Sequence, residues 1–206
     1  SCSYVSIEDN LLSVAGVVNS TSKLGMNTDI QSRIVIWDTN SKTKLHSFTF
    51  RNLESWRYLA DQQLYKDKYL YILMNGVKEG TTIQTEYSGI PFNGSGTNLS
   101  GNGASLIQID LDNYSMREYY WEGGTAFRGN SLLVDDDGSI YTTSMESSFS
   151  TTIRIHKFNE NLTEQFSVEI DRDSNADHKY DQPLGILEHN EKKVLALTDG
   201  RLPVTL

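Results

Sequence analysis

The run Asp171-Arg172-Asp173-Ser174-Asn175-Ala176-Asp177, followed by Asp181, has the look of a cation loop. Alternating Asp and Asn oxygens at positions 1, 3, 5 and 7 of a tight loop suit a hard ion such as calcium. Asp171, Asp173, Asn175 and Asp177 are the expected ligands. Ala176 stands where a glycine would ease the turn, and Gln182 stands where a bidentate Glu would close the site. A solvated loop that uses Asp and Asn for turning is therefore the competing reading. Asp135, Asp136 and Asp137 form a second acidic cluster, which a hairpin turn also explains. Four histidines, His46, His156, His178 and His189, show no H-x-H or H-E-x-x-H spacing, so no zinc site is built locally. No Gly-x-Ser-x-Gly elbow marks a nucleophilic serine. Two aromatic clusters could stack on sugar rings or anchor a protein partner: Trp56 with Tyr58, and Tyr119, Tyr120 and Trp121. Tyr87 and Phe92 add aromatic groups to a long polar insertion. For Tyr119 to Trp121, packing between sheets is the alternative.

These residues are carried by short β-forming runs. The hairpin signal is clearest in SLLVDDDGSIYTTS, residues 131 to 144, where Asp-Gly separates two apolar runs. Similar pairs turn at Asp9-Asn10, Asn40-Ser41, Lys66 to Lys68, Asp112-Asn113, Asn159 to Asn161 and His189 to Glu191. Residues 19 to 32 are polar without a clear period and read as a loop. Residues 52 to 63 are the one helix candidate, merging into a strand pattern. Residues 75 to 103 are rich in Gly, Ser, Thr and Asn and read as a mobile loop or an extended hairpin.

The hairpins group into units of about 1–51, 52–122, 123–172 and 173–206. The later units open on Tyr58, Phe127 and Tyr180, which are 69 and 53 residues apart. Without the insertion the first spacing falls to the roughly 40–55 residues of a propeller blade. A four-stranded sheet has two faces to cover, which favours stacking of sheets. The expected fold is all-β and β-propeller-like, with three complete four-stranded antiparallel blades plus a partial one, as a small ring or a fragment.

RIVIWDTNSKTKLHSF, residues 33 to 48, resembles the last two strands of a WD40-type blade, including Trp37-Asp38. SLIQIDLDNYSMREYYW and LLVDDDGSIYTTS look like blades of the quinoprotein-like and NHL-like propellers. The resemblance covers most of the chain and implies a propeller without implying one activity.

Charge and length exclude some functions. Net charge is −9 with pI near 4.9, which argues against nucleic acid and anionic lipid as partners. No apolar run approaches the roughly 20 residues of a membrane span. The strand pattern starts by Tyr4, so no signal peptide is expected within this stretch; a mature secreted protein or an excised fragment would read alike. One cysteine, Cys2, permits no intrachain disulfide.

Two functions stay open. The first is a non-enzymatic binding or scaffold module that recognises protein or carbohydrate at an extracellular, periplasmic or virion surface. It needs no cofactor, and another chain could complete its last blade. The second is a secreted or periplasmic hydrolase, lactonase-like or glycan-cleaving, with its site in a central funnel. The positions of His46, His156 and Asp110 discriminate between them. Convergence on the axis with a metal favours the enzyme, and scatter favours the module.

Overall fold

The structure, a computed structural model, describes residues 2–21, 27–53, 59–75, 82–85, 89–91, 104–121, 128–145, 152–171, 183–189 and 192–197. Among these every regular element is a β-strand. The first sheet is built from β1 (Cys2–Glu8), β2 (Leu11–Thr21), β3 (Asn27–Asp38) and β4 (Thr43–Leu53) in sequential order. The second uses β5 (Leu59–Tyr65) and β6 (Tyr69–Asn75). It then skips β7 (Thr82–Thr85) and β8 (Gly89–Pro91) to take β9 (Ala104–Asp110) and β10 (Met116–Trp121). The third is β11 (Arg128–Val134), β12 (Ile140–Met145), β13 (Thr152–Phe158) and β14 (Glu164–Asp171), and the fourth is the pair β15 (Pro183–His189) and β16 (Lys192–Leu197).

Three of these are thus four-stranded antiparallel meanders, one of them widened. The hairpin β7–β8 leaves the second sheet and pairs with β4, Phe48 opposite Thr85 and Arg51 opposite Thr82, so the first sheet has six strands. Of the two expectations for this insertion, its described parts realise the extended hairpin. Two other expectations change. The polar stretch 19 to 32 is largely strand: β2 and β3 stay paired out to Thr21 opposite Asn27. Backbone hydrogen bonds carry this extension, which a periodicity of side chains does not reveal. The helix candidate at 52 to 63 is strand at both ends, in β4 and β5. Residues 54 to 58 between them lie outside the described residues.

The sheets lie face to face, which explains the continuous apolar runs YLYILM and SLI. Leu70, Ile72 and Met74 point from β6 toward the first sheet and meet Ile34, Phe48 and Phe50. Tyr71 and Leu73, on the opposite face of β6, meet Val134, Ile140 and Phe158 of the third sheet. The second sheet is therefore buried on both faces.

The inner edges are joined by a regular seam. Ser6 Oγ of β1 accepts from the Leu64 amide at 3.1 Å, and Glu8 Oε1 accepts from the Lys66 amide at 2.8 Å. One sheet further on, Asp61 Oδ2 accepts from the Leu132 amide at 2.8 Å, and Gln63 Oε1 accepts from the Val134 amide at 2.8 Å. Tyr65 completes this row by donating its hydroxyl to the Asp136 carbonyl at 3.0 Å. Alternate side chains of one inner strand thereby satisfy backbone groups on the edge of the next, groups that would otherwise be left open.

The outer hairpins share a turn design. Asp38 Oδ1, Asp110 Oδ1 and Asn159 Oδ1 accept from the amides two residues on, at 2.8, 2.9 and 3.0 Å. Each turn ends on a non-glycine residue in the left-handed region: Lys42 at φ 56°, Tyr114 at 59° and Leu162 at 59°. A side chain there costs about 1–2 kcal/mol. Tyr114 and Leu162 offset it by burial toward the preceding sheet, Tyr114 against His46 and Phe48, Leu162 in the apolar cluster that also holds Tyr71 and Trp121.

Candidate functional site

The densest group of polar chemistry lies between the second and third sheets. β12, β13 and β14 place Ser144, His156 and Glu164 on the face toward the second sheet, and β10 brings Tyr119 and Trp121 down on them. Pairing sets this row. Thr142 opposes His156, which puts Ser144 one diagonal step away on the same face. Phe158 opposes Glu164, which puts the carboxylate a diagonal step away on the other side.

His156 Nδ1 lies 2.7 Å from Glu164 Oε1, and His156 Nε2 lies 3.1 Å from Ser144 Oγ. An ionised carboxylate can only accept, so Nδ1 carries the proton and Nε2 accepts from the serine hydroxyl. Tyr119 donates its hydroxyl to the other oxygen of Glu164 at 2.9 Å. Trp121 tilts against the imidazole, ring centres 5.2 Å apart, and Tyr119 and Trp121 both pack edge-on to Phe158.

Burial governs the electrostatics. It holds the His156 imidazole below its ordinary value, and the hydrogen bond that His156 donates to Glu164 opposes this without cancelling it. Burial also pushes Glu164 up, but the bonds from His156 and Tyr119 outweigh it and hold the carboxyl low. Tyr119 is pushed up to about 12 by burial and by the adjacent carboxylate. At neutral pH the row is a neutral imidazole between a hydroxyl and a carboxylate.

Serine, histidine and carboxylate in this order form the hydrogen-bond pattern of an activated nucleophile. A nucleophile must also meet a substrate. Ser144 is 1% exposed and His156 2% exposed, with the indole of Trp121 tilted against the imidazole. The row joins β12, β13 and β14 and clamps β10 to them.

The other groups lie apart. His46 Nδ1 is 2.9 Å from the Tyr114 hydroxyl, between the first and second sheets, with its imidazole held low by burial. Asp110 caps the turn between β9 and β10 through the Asp112 amide. Asp61, in the inner seam, accepts from the amides of Gln62 and Leu132, both at 2.8 Å. Burial raises its carboxyl to about 6 in spite of these bonds.

Of the aromatic residues singled out in the sequence, Tyr119 and Trp121 are brought together here and face inward. Tyr120 sits between them in β10, half-buried, and pairs with Ser105. Trp56, Tyr58, Tyr87 and Phe92 lie outside the described residues. Asp171 ends β14 opposite Thr152, while Asp173, Asn175 and Asp177 lie outside the described residues. Among the described residues no group of three or more His, Cys, Asp or Glu side chains is arranged to hold a metal ion.

The sequence reading missed Ser144 and Glu164, and no local motif could have found them, because each comes from a different strand. The available signal was weaker: a histidine on an inward strand position needs polar partners from its neighbours. No known protein family matches the chain, and no curated protein matches it in sequence.

Proposed function

We propose that the four sheets are consecutive blades of a β-propeller-like array, and that the protein is a non-enzymatic binding or scaffold module for a protein or carbohydrate partner. The observation that carries this reading is dispersal. His46, His156 and Asp110 occupy three separate places, and each is engaged by a neighbouring side chain or by a turn. The face-to-face sheets and the repeated inner seam support the array. A rigid stack of this kind presents its connecting loops to partners, among them the insertion that carries Tyr87 and Phe92.

The Ser144–His156–Glu164 row is a specific observation in favour of the second reading, a hydrolase. That reading requires Ser144 to become accessible. Reaction of the chain with a fluorophosphonate probe, alongside turnover of simple aryl esters, separates the two. The expected result is no labelling at Ser144 and no turnover that depends on it, while Ser144→Ala lowers thermal stability. Labelling of Ser144 in the folded chain, lost in Ser144→Ala, would replace the module reading with the enzyme. Binding is read on an array of immobilised glycans and on candidate surface proteins. Tyr87→Ala and Phe92→Ala are expected to weaken the signal without lowering the melting temperature.

A further inference from the structure

The first sheet is apolar on both faces. Ile34, Ile36 and Phe48 meet the second sheet. On the other face the register lays out two rows across all four strands. Ile7, Leu12, Trp37 and Lys44 stand opposite one another in turn, and Val5, Val14, Val35 and Ser47 do the same one step along. Strands that read LLSVAG and RIVIW, apolar at successive positions, suit a sheet covered on both sides. Among the described residues the second sheet has that cover, and the first has it on one face only. Ile7 is 68% exposed, Val5 59% and Trp37 40%. A contiguous apolar patch of this kind marks an interaction surface.

The turns at one end of this sheet carry opposite charges on its two sides. Lys42 and Lys44 are exposed on the β4 side, and Asp9 is exposed on the β1 side. Lys42 is the left-handed residue of its turn, the place held by Tyr114 and Leu162 in the next two sheets. Those two lean toward the sheet before them, so the same geometry sets Lys42 over the open face. A further sheet of the same kind would bury that ammonium, which is strongly unfavourable. The face suits an occupant that brings a carboxylate to this corner. Asp9 marks a negative corner: burial and the charge of Asp9 both raise the Asp67 carboxyl.

We propose that two copies of the chain form a symmetric dimer through this face, with the two-fold axis parallel to the strands and between β2 and β3, so that Lys42 and Lys44 of each copy meet Asp9 of the other. This axis lays β4 on β1 and β3 on β2. Trp37 then rests on Leu12 of the second copy and Val35 on Val14. The stem of Lys44 covers Ile7, and its ammonium reaches toward Asp9. Arg33 donates from Nε and Nη2 to Ser47 Oγ, both at 3.2 Å. It falls on Gly16, its cross-strand neighbour, where no side chain obstructs it. The alternative two-fold, across the strands, would bring Lys44 alongside Arg33 of the other copy and offer Asp9 no cation from it. Charge therefore selects one of the two self-complementary arrangements. The face is only about 15–20 Å wide, four strands at their usual spacing. A contact of that size makes a reversible dimer rather than a permanent one.

Association is read by sedimentation equilibrium from about 5 to 500 μM, the range suited to a small reversible contact. The mass is expected to rise from 23.2 kDa toward twice that value. Asp9→Lys and Lys42→Glu are each expected to weaken dimerisation about tenfold or more, with melting temperatures close to the parent's. An equimolar mixture of these two variants is expected to recover the parent's affinity, because both substituted positions then face an opposite charge on the other copy. Only contact between copies gives that recovery. Trp37→Thr, at the centre of the face, is expected to leave the chain folded and monomeric throughout. A mass of 23.2 kDa at every concentration would overturn the proposal. So would a dimer that both charge substitutions leave intact, or a mixture that associates no better than its components.

Discussion

Asp61 provides the sharpest quantitative test of the inner seam. Its two oxygens accept from the Gln62 and Leu132 amides, and burial lifts its carboxyl from 3.8 to about 6. A raised folded value means that the folded chain keeps a proton that the unfolded chain releases. Stability from this group is complete below 3.8 and is lost as pH rises through 6. The whole span is worth about 3 kcal/mol, and the part between pH 7.5 and 4.5 about 2 kcal/mol. Asp61→Asn removes the titration. It also sets an amide N–H against one of the two backbone donors, at a cost of about 1–3 kcal/mol. The quantity to measure is the stability of the parent minus that of Asp61→Asn, from urea denaturation at several pH values. Groups that do not couple to Asp61 cancel in this difference. It should grow by about 2 kcal/mol on going from pH 7.5 to 4.5. A flat difference would refute a desolvated carboxyl in the seam. A difference that shrinks in acid would mean a carboxylate stabilised by charge pairing instead.

His156 should show the opposite sign. Its folded value is lowered, so its contribution is lost as pH falls below the ordinary 6.5, and the parent-minus-variant difference for His156→Gln should decrease there. Tyr119→Phe and Glu164→Gln should each cost about 1 kcal/mol in urea denaturation, and the double variant less than their sum, because they share one hydrogen bond. Gly138→Ala should lower stability by about 1–2 kcal/mol on thermal melting. Gly138 has φ 83°, and an added Cβ would stand 3.2 Å from the Tyr65 hydroxyl and 3.3 Å from Glu160 Oε2.

Much of the local architecture is legible in the sequence because turns and strands are short-range matters. Asp135 to Gly138 turn as their types require, with Gly138 left-handed and its amide bonded to the Asp135 carbonyl at 2.9 Å. Lys66 and Asp67, both with positive φ, turn a hairpin without any glycine, and only the flanking apolar runs betray it. What the sequence conceals is long-range. Nothing near Thr82 to Thr85 says that they will pair with β4 rather than remain in the second sheet. The histidine row needs residues from three strands plus Tyr119, and the seam joins positions 58 or 71 residues apart. The inward Leu162 is hidden for another reason. A left-handed leucine contradicts its local preference, and only the packing of the neighbouring sheet makes it favourable.

The seam also has a direction. On its upstream side it spends side chains, Ser6, Glu8, Asp61 and Gln63, whereas its downstream side contributes main-chain amides, which every residue but proline possesses. Substitutions therefore weigh unequally on the two partners of one contact. The giving strand is constrained in identity, and the receiving strand only in shape. A duplicated unit placed after β5 can drift at its receiving positions without losing its neighbour, provided that Asp61 and Gln63 persist. Unit grafting follows the same polarity: a foreign inner strand should be accepted behind Asp61 and Gln63 far more readily than one placed ahead of Leu64 and Lys66, where it must bring its own acceptors.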